Sequence, residues 1–175
     1  TEKKAIIDVC RRLGIRITHL ETITASSLLD KQFDPQHELI EGMLAPGLYI
    51  LAGASKIGKS WLVLQIAHCV SMGLPLWGRK VQKSEVLYLA LEDTERRIQS
   101  RLMRICGGET GEIAFATEAE VLGRGFEEQV TNYLHKHPQA KLVIVDTLIK
   151  VREMNSRGSA YADDYATMTA FKRIA

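Results

Sequence analysis

The sequence predicts an α/β fold, a mostly parallel sheet with helices on both faces. Segments apolar along their whole length alternate with segments whose apolar residues recur at helical spacing. Two of the apolar segments, "EVLYLALED" and "KLVIVDT", turn acidic at their carboxyl ends. Strands without polar alternation are buried on both faces, which is the condition of strands in a covered parallel sheet. Ligands of such sheets bind beyond the carboxyl ends of the strands, so polar residues there are the first candidates for function.

Each element follows from local pattern. Residues 2–13 carry Ile6, Val9, Cys10 and Leu13 on one side of a short amphipathic helix, with Gly14 as its stop. "TASSLLDKQF" starts a second helical turn, capped by Thr24 or Ser26 and ended by Pro35. "APGLYILAG" reads as a turn and a buried strand. From Lys59 to about Met72, Leu62, Ile66, Cys69 and Val70 have the spacing of a core helix. "GLPLWG" is a turn region with two apolar anchors. "EVLYLALED" is a second strand, followed by the helix "TERRIQSRLMRIC", capped by Thr94 and stopped by Gly107 and Gly108. "EIAFAT" reads as a third, short strand. "GFEEQVTNYLHKH" is a helix ended by Pro138, "KLVIVDT" a fourth strand, and "YADDYATMTAFKRIA" a last helix. This divides the chain into an N-terminal helical segment and lead-in over 1–40 and an α/β core over 41–175.

The bulk properties narrow the class. A chain of 175 residues, 46% hydrophobic and 25% charged, is long enough to bury a real core. The formal charge of +2 neither requires nor excludes a nucleic-acid partner. Cys10, Cys69 and Cys106 are scattered and without CxxC spacing, which argues against a disulfide framework or zinc site and for a reducing cytoplasm. No apolar run reaches the ~18 residues of a membrane span. The N-terminus lacks the apolar stretch of a signal peptide and an initiating methionine, and reads as a trimmed end.

Gly53-Ala54-Ser55-Lys56-Ile57-Gly58-Lys59-Ser60 fits the pattern GxxxxGK[ST] of a phosphate-binding loop, and together with Trp61, next on the helix, these are the candidate nucleotide-binding residues. Glycines let successive N–H groups point inward at phosphate oxygens, and the helix adds the positive end of its dipole. Lys59 is placed to reach β- and γ-phosphates, and the Ser60 hydroxyl to ligate Mg²⁺. The expected ligand is therefore ATP with Mg²⁺. Lys56 either touches the γ-phosphate or faces solvent.

Asp146 ends the run "LVIV", where an acid holds the metal opposite Ser60. Thr147 adds a hydrogen bond there or caps the exit turn. Glu92, at the mouth of a different strand, is the candidate general base. Asp93 and Glu95 are equally suited to favour the start of the following helix by charge. Arg97, Arg101 and Arg104 share a helix face, with Arg96 beside them. They are either solvated or in contact with the nucleotide base or a neighbouring subunit. The polar stretch carrying Lys150, Arg152 and Arg157 is either a surface for nucleic acid or a solvated connection. His135 and His137 stand two apart on a helix and cannot share a metal from one face.

"GLYILAGASKIGKSWLVLQIA", "GLPLWGR", "EVLYLALEDTERRIQSRL" and "LVIVDTL", in that order, resemble the RecA-like P-loop ATPases of the AAA_25 or RepA-helicase type. The resemblance runs from about Asp34 to Ala175. It implies a RecA-like P-loop core, a catalytic role for Glu92 together with Lys59, and Asp146 as the Walker-B aspartate. It also implies a homo-oligomer, typically a hexameric ring with ATP at subunit interfaces and single-stranded DNA in its channel. Family cores continue into a further strand, between the Walker-B and P-loop strands, and then to a finger residue. The chain stops before these and reads as C-terminally truncated. A regulatory module using ATP as an assembly switch, without unwinding DNA, is the alternative. A small-molecule kinase fits less well, because no lid with phosphate-clamping arginines is evident.

Overall fold

The computed structural model describes residues 9, 10, 12–14, 20, 22–33, 37–152 and 160–175. The chain falls into two compact units, Thr1–Pro35 and Gln36–Ala175. In the first, most of the helix expected over 2–13 lies outside the described residues. What is described keeps a helical bond from Leu13 N–H to the Val9 carbonyl at 3.0 Å. Helix α1 (Ala25–Leu29) is capped by Thr24, whose hydroxyl accepts from Ser27 N–H at 3.2 Å. It ends at Asp30, short of the expected Pro35, and buries none of its residues. Without an apolar face packed on a core, a helix does not extend.

The second unit holds a parallel sheet of β1 (Glu85–Ala90), β2 (Ile113–Ala116) and β3 (Ala140–Asp146) in the order β2-β1-β3. Helices α2 (Lys59–Met72), α3 (Glu95–Cys106), α4 (Phe126–Lys136) and α5 (Ala160–Ile174) cover it, and a 3₁₀ turn, Leu148–Lys150, follows β3. This is the α/β architecture of a RecA-like P-loop core. β1 is central, with Leu87 paired to Ala114 on one side and to Val143 on the other.

Alternate residues of β1 serve two cores. Val86, Tyr88 and Ala90 pack with Leu64, Ala67 and Val70 of α2 and Ile98 of α3. Leu87 and Leu89 pack with Phe126 and Val130 of α4 and Phe171 of α5. Each such aliphatic side chain contributes about 1.5–3 kcal/mol on burial, which explains why β1 has no polar alternation. The lead-in joins the first core: Ile40 is fully buried and bridges both Leu44 and Val81. α2 runs close against the entry to β2. A Cβ added at Gly111 would lie 2.2 Å from the Ser71 carbonyl oxygen, so only glycine fits there.

The expected strand in "APGLYILAG" is not formed. Among the described residues, 48–54 carry no ladder pairing, and Tyr49, Ile50 and Leu51 are 54%, 65% and 48% exposed. A strand exists only against a neighbour. Among the described residues no strand pairs with 48–54. Four strands were expected and, among the described residues, three form.

Candidate functional site

Residues 53–60 lead directly into α2. Gly58 is its N-cap with φ of 99°, a left-handed conformation that a side chain would strain. The Lys59 ammonium folds back over the loop and donates to the carbonyls of Gly53 at 2.9 Å and Ala54 at 2.7 Å. Ser60 is half-buried on the first turn, and Ala54, Ser55, Lys56 and Ile57 are exposed. Lys56 also has a positive φ, 65°. No acidic side chain occupies the first turn of α2, so the positive end of its dipole is not neutralised from within the helix.

The strand ends that lead to the two acids lie side by side. Asp146 closes β3 and pairs in register with Ala90, the last residue of β1. Leu91 N–H donates to the Asp146 carbonyl at 2.7 Å, and the exposed Glu92 follows. The Tyr88 hydroxyl donates to Asp146 Oδ2 at 3.0 Å. Burial, then the charge and hydrogen bond of Asp146, then the charge of Asp93, push the Tyr88 phenol far above its ordinary range, with Arg101 opposing. The phenol therefore remains a neutral donor to a carboxylate.

Asp93 is not a free charge. Its side chain is 9% exposed and held by Arg97 Nε at 3.2 Å and by Arg101 Nη1. The Arg101 guanidinium lies over the Trp61 ring, 5.7 Å from its centroid. Trp61 follows Ser60, so the start of α2 stands at the carboxyl end of β1, one arginine away from the acid beside Glu92. Of the arginine face, Arg97 and Arg101 are thus engaged with Asp93, while Arg104, like Arg96, is exposed. Thr147 precedes the 3₁₀ turn without a side-chain cap, and its carbonyl accepts from Lys150 N–H at 3.1 Å.

The other candidates make different contacts. Arg152 pairs with Asp164 at 2.5 Å, and Arg157 lies outside the described residues. His135 is exposed. His137 stacks on Tyr133, with centroids 4.2 Å apart, and its Nδ1 is 3.2 Å from Glu85 Oε2 at the opposite, amino end of β1. Burial first, then Glu85 and Glu112, raise the Tyr133 phenol. A cavity of 640 Å³ lies between α3 and β2, floored by Ile98, Leu102 and Phe115; no residue of 53–60, nor Glu92, nor Asp146, lines it.

Sequence reasoning did not identify Tyr88 or the Asp93–Arg101–Trp61 contact. Tyr88 carried a signal, since a phenol in a strand buried on both faces needs a polar partner. The arginine contact depends on how α2 and α3 pack, which no spacing rule contains.

The Ser60 hydroxyl and Asp146 carboxylate are hard oxygen donors, the type that suits Mg²⁺. Among the described residues no group of three or more His, Cys, Asp or Glu side chains could hold a metal alone. Among the described residues no helix is long and apolar enough to cross a membrane.

The AAA_25 family, an AAA domain, matches residues 16–175. No curated protein and no solved structure gives a significant match. The match spans most of the chain, including the phosphate-loop pattern, Glu92 and Asp146. The chain belongs to the AAA_25 family of AAA-domain, P-loop ATPases.

Proposed function

We propose that this chain is the ATP-hydrolysing core of a replication-associated, RepA-type helicase or DNA-dependent ATPase. The observation that carries the reading is Lys59, bonded across the loop to the Gly53 and Ala54 carbonyls at the head of a helix without a first-turn acid. Residues 53–61 form the nucleotide site. Lys59 exchanges its two carbonyl bonds for β- and γ-phosphate oxygens, while loop N–H groups surround the phosphates. Ser60 and Asp146 hold Mg²⁺, with Tyr88 fixing the Asp146 carboxylate. Bound Mg²⁺ supplies neutralising charge at the phosphates. Glu92 takes the proton of the attacking water as its oxygen bonds to the γ-phosphorus and the bond to the ADP oxygen breaks.

The wider reading is a cytoplasmic homo-oligomer, a hexameric ring acting on single-stranded DNA. Its support is the order of the motifs along the chain and the family they belong to. The test is the steady-state ATPase rate with and without single-stranded DNA. Stimulation by DNA is expected, and indifference to it refutes the DNA-dependent role.

A second reading has its own observation. The formal charge of +2 is small for a chain that grips phosphate backbones. It favours a regulatory module of a mobile element that assembles on ATP without unwinding DNA. Single-strand binding that falls steeply with salt supports the motor reading, and salt-indifferent or absent binding supports the switch.

A further inference from the structure

We propose that Asp93, Arg101 and Trp61 form a relay that positions Glu92 relative to the start of α2. The proposal rests on the reading of Glu92 as general base. Asp93 is next to Glu92 in the chain and is fixed twice. Its N–H donates to the Ala90 carbonyl at 3.1 Å, and its carboxylate is held by Arg97 on Oδ1 and Arg101 on Oδ2. A residue anchored through both main chain and side chain fixes the backbone of its neighbour. Glu92 is thereby held at the mouth of β1 while its own side chain stays exposed.

Arg101 is itself engaged on two sides. It is 17% exposed, bonded to Asp93 and stacked on Trp61, the residue after Ser60. Arginine suits this place because its planar fork can bind a carboxylate while its face lies on an aromatic ring, which a lysine ammonium cannot do. Arg97 is 60% exposed, and its share of the ion pair is screened by solvent. Any shift of the first turn of α2 as it engages phosphate therefore reaches Asp93 through Arg101. Asp93 and Arg101 are positioning residues that need not touch the nucleotide, and Trp61 joins them to the nucleotide site at 53–61.

The test uses Trp61→Leu, Asp93→Asn and their double variant, read by kcat and KM for ATP. A relay predicts that each single change lowers kcat about 10-fold or more, as a small misplacement of a catalytic group does, with KM of Asp93→Asn, which lies outside 53–61, within about twofold. It also predicts that the double variant is no worse than the poorer single one, since both cut the same chain of contacts. Trp61 supplies a readout without turnover. With the exposed Trp77 replaced in a Trp77→Phe background, Asp93→Asn changes Trp61 emission because Arg101 is released. If Asp93→Asn does not fold, Arg101→Lys takes its place, with the same expected loss of kcat and change in emission.

Wild-type kcat in Trp61→Leu overturns the relay. So does a raised KM at unchanged kcat in Asp93→Asn, which makes Asp93 a direct nucleotide contact, and so do losses that multiply in the double variant. Glu92→Gln separates the two levels. If it retains turnover, the base assignment fails and the relay with it. If it loses turnover while the relay variants do not, only the relay fails.

Discussion

Replacing Tyr88 by phenylalanine removes one oxygen from the centre of the sheet and leaves the packing shape unchanged. That oxygen donates to Asp146 at 3.0 Å, from a residue only 2% exposed. A hydrogen bond to a charged group contributes about 1.5–3 kcal/mol, so Tyr88→Phe is expected to lose about that much stability at pH 7. The pH dependence has a definite sign. The folded-state phenol is raised above its ordinary value of 10.0, so the folded chain keeps this proton when the unfolded chain gives it up. Stability from this group is fully present below about pH 10 and is lost as pH rises further, by about 1.4 kcal/mol at pH 11. The assay is urea unfolding of wild type and Tyr88→Phe at pH 7, 9, 10 and 11. The gap between them should be constant to about pH 9 and narrow above pH 10. A constant gap through pH 11, or a gap below about 0.3 kcal/mol at pH 7, refutes the reasoning. If Asp146 holds metal, Tyr88→Phe should also weaken Mg²⁺-dependent nucleotide binding by roughly 10–100-fold, as loss of a group orienting a metal ligand does.

Three further outcomes follow from the same geometry. Lys59→Ala should abolish measurable nucleotide binding by titration calorimetry while leaving the melting temperature nearly unchanged, because its bonds are to a surface loop. Gly111→Ala should destabilise the fold by about 1–3 kcal/mol in urea, since the added methyl meets the Ser71 backbone at 2.2 Å. Phe126→Ala should cost about 3–5 kcal/mol by the same assay, because this ring is 1% exposed and packs edge-on to Phe171.

The features legible in the sequence are those set by local chemistry. Helix α2 begins at Lys59 and ends at Met72 as its apolar spacing predicts, and α3 is capped by Thr94 and stopped by Gly107. The parallel sheet follows from "EVLYLA" and "LVIV", runs that only a doubly covered strand would tolerate. The stretch 48–52 shows the limit of that rule. Apolarity states that a segment suits a strand, but pairing also requires an adjacent strand with free donors and acceptors. Asp93 shows a second limit. At the level of sequence it is one of three acids near a helix start. Its engagement by Arg97 and Arg101, and the reach of Arg101 to Trp61, depend on the approach of α3 to α2.

The central claim is that ATP bound at 53–61 is cut with Glu92 as the base. Glu92→Gln tests it most directly, because the substitution removes a proton acceptor and nearly nothing else. Nucleotide affinity and steady-state ATP turnover should be measured on the same preparation. The account predicts affinity within about twofold of wild type and turnover lowered about 10²-fold or more, the share of rate that a positioned base supplies. Turnover equal to wild type contradicts it.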